Sequence, residues 1–353
     1  MISDSTATPS RAHLPREEVV KAIERQRPER IPLVQTKWWG EGFEATYGAA
    51  LARFNRYPDD AAFLWLQPVN VSAMGLSWQP DSGAALDARR VLDDWSRLDE
   101  FIDKLPRAED DAQFDALARE AERLHAENRY IIVAWWRLFF ERPWALRGME
   151  NLLLDYALDP ANVHRLHEVL CEQYCSYLRR AASVLAPDGF WTSDDLGHQT
   201  DSMMSTETFA AMIYPYYARI GRLLHGNSMH WWLHSCGNNT ALLPMLVDAG
   251  VRVFHPVQKG TMDGPAVAAE FGDRLAFCAG MDVQHVLPHG TPEDVRREVR
   301  ELIDTFDRPE GGMCIAAGNG ILPDTPLENV EAFLSEALDA GTEHRNASRR
   351  REQ

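Results

Sequence analysis

Short apolar segments rich in β-branched and aromatic residues recur along this 353-residue chain, and segments with helical periodicity separate most of them. Regular alternation of strands and helices is typical of a parallel sheet, and eight repeats predict its closure into a (β/α)8 TIM barrel of the α/β class. The eight predicted strands are Ile31–Val34, Ala62–Leu66, Tyr130–Trp135, Phe190–Thr192, Trp231–His234, Arg252–His255, Leu275–Ala279 and Met313–Ala316.

The predicted helices fall mainly in the second half of the chain. Two of them begin with a threonine followed by proline and acidic residues, at Thr291 and Thr325, which is the pattern of a helix N-terminus. The stretch Pro68–Asn128 is expected to be a mostly helical insertion between strands two and three. The segments with helical periodicity are Asp159–Ala186, Thr206–Leu224, Thr240–Ala249, Pro292–Phe306 and Pro326–Ala340.

One domain accounts for the length of the chain, since 353 residues suit a single barrel with extensions. We expect the barrel domain, with an N-terminal extension, to occupy residues 14–340. Residues 1–13 are polar and patternless, and residues 341–353 carry a run of charged residues. Both ends are therefore predicted to be disordered.

The chain is acidic, with 36 Lys and Arg residues, 53 Asp and Glu residues and a net charge of -17. Such a charge repels nucleic acids and anionic membranes, so we expect a small-molecule substrate, no nucleic-acid partner and no membrane partner. The sequence contains no secretory signal pattern and no apolar run long enough to span a bilayer. These features predict a cytoplasmic protein.

Polar and ionisable side chains follow nearly every predicted strand within a few positions, where barrel enzymes carry their active sites. Several tryptophans lie near the same strand ends and would suit a flat or aromatic ligand. The candidate catalytic residues are Asp195, His255 and Asn319. The candidate substrate-binding residues are Lys37, Trp39, Gln67, Arg137, Gln258 and Asp282.

The segment His234-Ser235-Cys236-Gly237 is the best candidate for a metal site. Side chains two residues apart on an extended segment project to the same side, so His234 and Cys236 could both bind one zinc ion. The alternative is a hydrogen-bonded histidine and an inert cysteine at a strand end. Adjacent Asp194 and Asp195 must point apart, and we expect Asp195 to face the site. In the alternative interpretation, both carboxylates cap the turn that follows.

Several motifs, in this order along the chain, resemble those of the uroporphyrinogen decarboxylase superfamily. That superfamily contains the haem-pathway decarboxylase and zinc-dependent methyltransferases that exchange methyl groups with corrinoid proteins, so the resemblance implies a barrel enzyme. The motifs that carry it are Arg30-Ile31-Pro32, Leu146-Arg147-Gly148-Met149-Glu150-Asn151, Asp194-Asp195-Leu196-Gly197, His234-Ser235-Cys236-Gly237, His255-Pro256-Val257-Gln258, Phe271-Gly272-Asp273-Arg274-Leu275, Gly280-Met281-Asp282 and Pro323-Asp324-Thr325-Pro326-Leu327-Glu328-Asn329.

The resemblance is closer to the corrinoid-linked methyltransferase branch than to the haem-pathway decarboxylase. The decarboxylase carries arginines after strand one and an aspartate after strand two, whereas residues 35–40 and 66–68 contain neither here. Uroporphyrinogen would lack its counter-charges and is not expected to be the substrate. In the methyltransferases a cysteine after strand eight completes a zinc site with the His-x-Cys pair. Asn319 occupies that position here, so the third zinc ligand is missing.

The resemblance implies a methyltransferase or demethylase component of a corrinoid-linked system, acting on a small methylated or aromatic compound. Zinc would be held by His234 and Cys236, and the corrinoid would be met only on a partner protein. One alternative is a metal-independent decarboxylase, a carboxy-lyase of a small acid, that uses Asp195, His255 and Asn319. Another is a non-catalytic relative that only binds a ligand. Stoichiometric zinc would favour the methyltransferase.

Overall fold

The computed structural model describes residues 12–74 and 90–351. Seven strands of the described residues form one sheet, and their order in the sheet follows their order in the chain. The pairings β2 with β3, β3 with β4 and β6 with β7 are parallel. The strands are β1 (Ala61–Trp65), β2 (Tyr130–Trp135), β3 (Gly189–Ser193), β4 (His230–His234), β5 (Val251–His255), β6 (Ala276–Met281) and β7 (Met313–Ala317).

Helices connect the strands, as the sequence predicts. Three 3-10 helices also occur among the described residues, at Gly48–Arg56, Trp95–Arg97 and Ala108–Asp110. The α-helices of the described residues are α1 (Arg16–Glu24), α2 (Phe43–Tyr47), α3 (Leu98–Asp103), α4 (Gln113–Ala126), α5 (Glu141–Arg147), α6 (Met149–Leu158), α7 (Pro160–Val184), α8 (Thr206–Met212), α9 (Tyr214–Gly226), α10 (Leu243–Ala249), α11 (Gly264–Phe271), α12 (Val286–His289), α13 (Pro292–Phe306) and α14 (Leu327–Arg351). None of these described helices has both the length and the apolar character needed to cross a membrane.

The chain divides into two compact units. One comprises residues 1–62, 128–130 and 254–353, and the other comprises residues 63–127 and 131–253. In the first unit, β7 pairs with β6 over its whole length, and α13 packs on α14. In the second unit, β2, β3 and β4 pair in sequence, and α7 packs on α9. Strands β2 and β3 are buried throughout, as expected of parallel strands covered by helices.

The first predicted strand, Ile31–Val34, forms only part of a strand. Val34 N–H donates to Ile315 O at 2.9 Å, and Ile315 N–H donates to Pro32 O at 2.9 Å, so the segment lies parallel to β7. Pro32 has no N–H to donate, and Leu33 N–H donates to the Asp60 carboxylate at 2.6 Å instead of to a neighbouring strand. The segment is therefore a bridge beside β7, and seven of the eight predicted strands are confirmed as regular strands.

Three other predictions differ from the structure or lie partly outside its described residues. Predicted helix Thr206–Leu224 is divided between α8 and α9, with Pro215 in the first turn of α9. The final helix does not end at Ala340, because Arg345 on its continuation is buried and donates to Pro309 O and to the Asp307 carboxylate. The predicted disorder of residues 341–351 is therefore corrected to helix. Residues 1–11, 75–89 and 352–353, which include most of the predicted disordered N-terminus and part of the insertion, lie outside the described residues.

A buried ion pair fixes the start of the first unit. Asp60 is fully buried, and its carboxylate accepts two hydrogen bonds from the Arg30 guanidinium, at 2.7 and 2.8 Å. It also accepts the backbone N–H groups of Leu14 and Leu33, at 2.7 and 2.6 Å. Four donors thus compensate for the loss of hydration of one carboxylate, and they join two other segments, at Leu14 and at residues 30–33, to Asp60.

Asp60→Asn is expected to destabilise the protein by about 3 kcal/mol, because an amide leaves Arg30 without a counter-charge and turns one N–H group towards the backbone donors. The midpoint of urea denaturation measures this. Asp59→Asn is the matched control, since neighbouring Asp59 pairs with Lys37 at 2.7 Å but is 47% exposed. Asp59→Asn should lower the free energy of unfolding by no more than about 1 kcal/mol. Equal losses in the two variants would contradict this account of Asp60.

Candidate metal centre and cavity

Three potential metal ligands converge at the carboxyl ends of β3 and β4. His234 is the last residue of β4, Cys236 follows two residues later, and Asp195 lies two residues beyond β3. His234 Nε2 is 3.4 Å from Cys236 Sγ and 3.7 Å from Asp195 Oδ1. The ligand atoms of all three residues lie within 4.8 Å of one another. One nitrogen, one sulfur and one oxygen donor are thus close enough to share a single ion.

Two glycines let the loops that carry these residues cross at backbone contact. A Cβ added to Gly237 would lie 2.3 Å from the Gly197 carbonyl carbon, and one added to Gly197 would lie 2.5 Å from the Gly237 carbonyl carbon. Gly237 also has a φ of +79°, which disfavours other residues. Asn238 N–H donates to His198 O at 2.7 Å just beyond the crossing. The glycines of the two motifs therefore hold Asp195 against Cys236.

Hydrogen bonds hold the loop after β4 in place. Ser235 Oγ accepts the Leu196 N–H at 3.0 Å and donates to Asn239 Oδ1 at 2.9 Å. The Asn239 amide group contacts the carbonyl oxygens of Ser235, Cys236 and Gly237, each at 3.1 Å. Cys236 N–H donates to Asp195 Oδ1 at 2.9 Å. The thiol and the carboxylate are consequently positioned by backbone and buried side chains.

The imidazole of His234 is held in an apolar environment. The ring lies 5.8 Å from the Trp191 ring and 6.4 Å from the Trp136 ring, measured between centroids. Burial lowers the pKa of His234 to about 3, so the ring is neutral near pH 7. Burial also raises the pKa of Asp195, although 37% of its side chain is exposed, and the Cys236 N–H opposes this rise.

Asp194 points away from this cluster and braces the loop after β2. It is fully buried and accepts the backbone N–H groups of Phe139, Phe140 and Glu141 at 2.8 to 3.1 Å. It also accepts the Tyr217 hydroxyl at 2.8 Å. Burial raises the pKa of Asp194 to about 6 despite these donors. The two adjacent carboxylates thus point to different surroundings, and only Asp195 belongs to the ligand cluster.

A cavity of about 620 Å³ lies in the same unit, beside the ends of β1, β2 and β3. Glu141 is one of its charged lining residues, and its carboxylate accepts the Ser193 hydroxyl. Burial raises the pKa of Glu141 to about 8, and the negative charges of Asp195 and Asp194 add to this effect. Sequence reasoning missed Glu141 because it lies six residues beyond β2. Arg137 and Glu141 lie on either side of the apolar segment Leu138–Phe140, and this pattern could have indicated Glu141 as a site residue.

The predicted site residues are divided between the two units. Asp195, His234 and Cys236 form the ligand cluster, and Gln67 and Arg137 line the cavity. All five belong to the unit of residues 63–127 and 131–253. The other six predicted residues belong to the first unit.

The first three of these six residues are Lys37, Trp39 and His255. Lys37 forms an ion pair with Asp59 at 2.7 Å and donates to Tyr57 O at 2.8 Å. Trp39 stacks on Phe43 with a centroid distance of 4.9 Å. His255 ends β5, and its Nε2 lies 2.9 Å from Ala317 O. These contacts lie within the first unit and show what holds each side chain.

The remaining three lie in loops after β5, β6 and β7. Gln258 O accepts backbone N–H groups in a turn at 3.3 Å. Asp282 accepts the N–H groups of Gln284 and His285, at 2.8 and 3.0 Å, and so caps its own loop. The Asn319 side-chain oxygen accepts the Gly320 N–H at 2.7 Å. The functional roles assigned to these six residues stay predictions.

Fold and site together define an α/β-barrel protein with a candidate metal centre at the carboxyl ends of its strands. The family model described as uroporphyrinogen decarboxylase (URO-D) matches residues 144–339, more than half of the 353-residue chain. The chain belongs to the uroporphyrinogen decarboxylase family. The resemblance predicted from the motifs is confirmed.

Two curated relatives are methyltransferases by name. The methylated-thiol--coenzyme M methyltransferase of Methanosarcina mazei is 25% identical over 189 residues, which cover 54% of this chain and 48% of that protein. The methylcobamide:CoM methyltransferase MtaA of Methanosarcina barkeri is 29% identical over 136 residues, which cover 38% of this chain and 37% of that protein. The matched segments therefore span half or less of each relative. Both names agree with the predicted methyltransferase branch.

A solved structure supports the fold class. The structure of a methyltransferase from Methanosarcina mazei superimposes with a TM-score of 0.63 at 16% sequence identity. The alignment covers 91% of this chain and 97% of that one. The predicted α/β-barrel fold is confirmed by this similarity and by the strand order.

Asp194→Asn is expected to lower the free energy of unfolding by about 3 kcal/mol, because an amide places an N–H group against donors that now meet a carboxylate. Urea denaturation followed by circular dichroism measures this. Asp115→Asn, on the exposed face of α4, is the control and should change stability by less than about 0.5 kcal/mol. A tolerated Asp194→Asn would show that Asp194 does not brace the loop.

Proposed function

We propose that this protein is the methyltransferase or demethylase component of a corrinoid-linked system, acting on a small methylated or aromatic compound. The cluster of Asp195, His234 and Cys236 carries the proposal. The names of the two relatives support it, since they describe transfer of methyl groups to coenzyme M and, in one case, from a methylated cobamide.

The donors of this cluster fit zinc. Zinc is bound in proteins by histidine nitrogen, cysteine sulfur and carboxylate oxygen, and catalytic sites use three protein ligands and keep one position open. The neutral imidazole of His234 presents a lone pair without having to lose a proton. Asp195 supplies the third donor that the sequence pattern lacks at Asn319. This set therefore differs from the His-Cys-Cys set implied by the family resemblance.

Bound zinc would acidify a coordinated thiol or polarise a methylated substrate at neutral pH. The chain's own residues position the reactants. Trp136 and Trp191 shield the His234 ring from water, which strengthens electrostatic interactions at the cluster. The neighbouring cavity, which Trp136 also lines, is large enough for a small organic substrate.

The metal-independent decarboxylase is not proposed. It relied on His255 and Asn319 together with Asp195. His255 Nε2 contacts Ala317 O, and the Asn319 side chain binds the next residue of its own loop. A decarboxylase has to protonate the carbanion that remains after loss of carbon dioxide, and these two contacts do not support that role for either residue.

Replacing His234, Cys236 or Asp195 with alanine is expected to weaken zinc binding by at least about 100-fold, since even outer-shell partners change metal affinity by about 10- to 100-fold. Competition with a chromogenic chelator measures zinc affinity on metal-stripped protein. Exposed His225→Ala and Asp201→Ala are the controls and should match the unmodified protein. Unchanged affinity in the three cluster variants, with circular dichroism showing intact folding, would exclude this zinc site.

Methyl transfer itself is expected with methylcobalamin and coenzyme M as probes. Zinc-loaded protein should convert methylcobalamin to its demethylated form, and the change in corrinoid absorbance measures this. The conversion should disappear in His234→Ala and Cys236→Ala and persist in His225→Ala. Demethylation of methylcobalamin at the same rate by the unmodified protein and by all three variants would show that the reaction does not occur at this cluster.

A further inference from the structure

Two indole rings form an apolar platform in the cavity. Trp65 ends β1 and Trp136 follows β2, and their rings stack with centroids 5.4 Å apart and planes at 19°. Buried Trp191 meets both rings edge-on, at 5.6 and 4.7 Å, and fixes their orientation. Trp65 is nevertheless 39% exposed and Trp136 38% exposed, although both are large apolar side chains. The exposed indole surface beside the cavity suits a flat ring.

The polar side of the cavity is cationic. Its charged lining residues are Arg137, Arg142 and Glu141, so the lining has a net positive charge even with Glu141 ionised. The whole chain, by contrast, has a net charge of -17. A half-buried guanidinium binds a carboxylate more strongly than an exposed one, because less water competes. This local charge favours an anionic ligand and disfavours a cationic one.

The backbone at Arg137 is held in an uncommon conformation. Its φ is +69°, in the left-handed region that a non-glycine residue seldom adopts, and its N–H donates to Ser193 Oγ at 3.0 Å. Arg142 is anchored differently, through a bond of 3.2 Å to Trp136 O, next to the indole platform. The two arginines are therefore placed by the same segment after β2 that carries Trp136.

We propose that the cavity binds a small aromatic carboxylate, with its ring against the surface of Trp65 and Trp136 and its carboxylate directed at Arg137 and Arg142. This inference rests on the proposed function only in identifying that ligand as the methyl-bearing substrate. The recognition itself depends on indole surface and guanidinium charge and does not require a metal at Asp195, His234 and Cys236. Binding can therefore be tested without zinc and without turnover.

Isothermal titration calorimetry on the full chain, without added metal, tests the ligand class with four probes. The expected ligand is 4-methoxybenzoate. The neutral probe is 4-methoxybenzyl alcohol, the cationic probe is 4-methoxybenzylamine, and cyclohexanecarboxylate is the non-aromatic acid. We expect 4-methoxybenzoate to bind at least about 10-fold more tightly than each of the others, in keeping with the strength of a charged hydrogen bond or a ring stack.

Substitutions at Arg137 and Trp65 test which side chains contact the ligand. Arg137→Gln should remove the preference for the carboxylate over the alcohol, whereas Arg107→Gln, at a side chain that is 77% exposed, should preserve it. Trp65→Ala should weaken the binding of all three aromatic probes by a similar factor, and Trp65→Phe should retain most of the affinity because a ring remains. Rescue by phenylalanine separates a binding role of Trp65 from a purely structural one.

Tighter binding of the amine or the alcohol would overturn the charge assignment, and equal binding of cyclohexanecarboxylate would overturn the aromatic assignment. Absence of binding by all four probes, in protein that still binds zinc through His234 and Cys236, would refute this inference and leave the proposed function standing. Conversely, selective binding of 4-methoxybenzoate by a protein without zinc affinity would support the cavity and contradict the metal centre.

Discussion

The site depends on the buried carboxylate of Asp194. Its oxygens accept three consecutive backbone N–H groups of the loop after β2 and the Tyr217 hydroxyl, so that loop cannot move independently of β3. Asp195 is the next residue, and an extended chain directs adjacent side chains to opposite sides. Holding Asp194 in the protein interior therefore also aims Asp195 towards Cys236. One carboxylate thus positions both the cavity wall and one member of the ligand cluster.

Burial then sets the charge states around the cluster and the cavity. It lowers the pKa of His234 to about 3 and raises the pKa of Glu141 to about 8, both towards the neutral form. It also lowers the pKa of Arg137, and the nearby charge of Arg142 acts in the same direction. A bound anion would relieve the repulsion between the arginines. The charged lining of the cavity is thus opposite in sign to the net charge of the chain.

The strands could be predicted from the sequence because each one is a short buried apolar run, as in Tyr130–Trp135, whose predicted bounds match β2. His234 and Cys236 could be predicted as candidate metal ligands from their spacing at a strand end. Other features depend on contacts between distant segments. Leu33 bonds to the side chain of Asp60 rather than to a strand, and Arg345 extends α14 by pairing with Asp307. The pairings of Leu33 with Asp60 and of Arg345 with Asp307 cannot be predicted from periodicity. The position of Glu141 at the cavity cannot be predicted from periodicity either.

The position of Asp195 also changes the meaning of Asn319. The family pattern places a second thiolate there, and its absence predicts a site that lacks one ligand. A carboxylate at Asp195 has the same charge as a thiolate, so a His-Cys-Asp set would cancel the two positive charges of zinc just as a His-Cys-Cys set does. Oxygen is a harder donor than sulfur and gives less electron density to the metal. In the proposed site a bound zinc ion would therefore be a stronger Lewis acid at unchanged formal charge, which suits activation of a poor leaving group such as the alkoxide of a methyl ether.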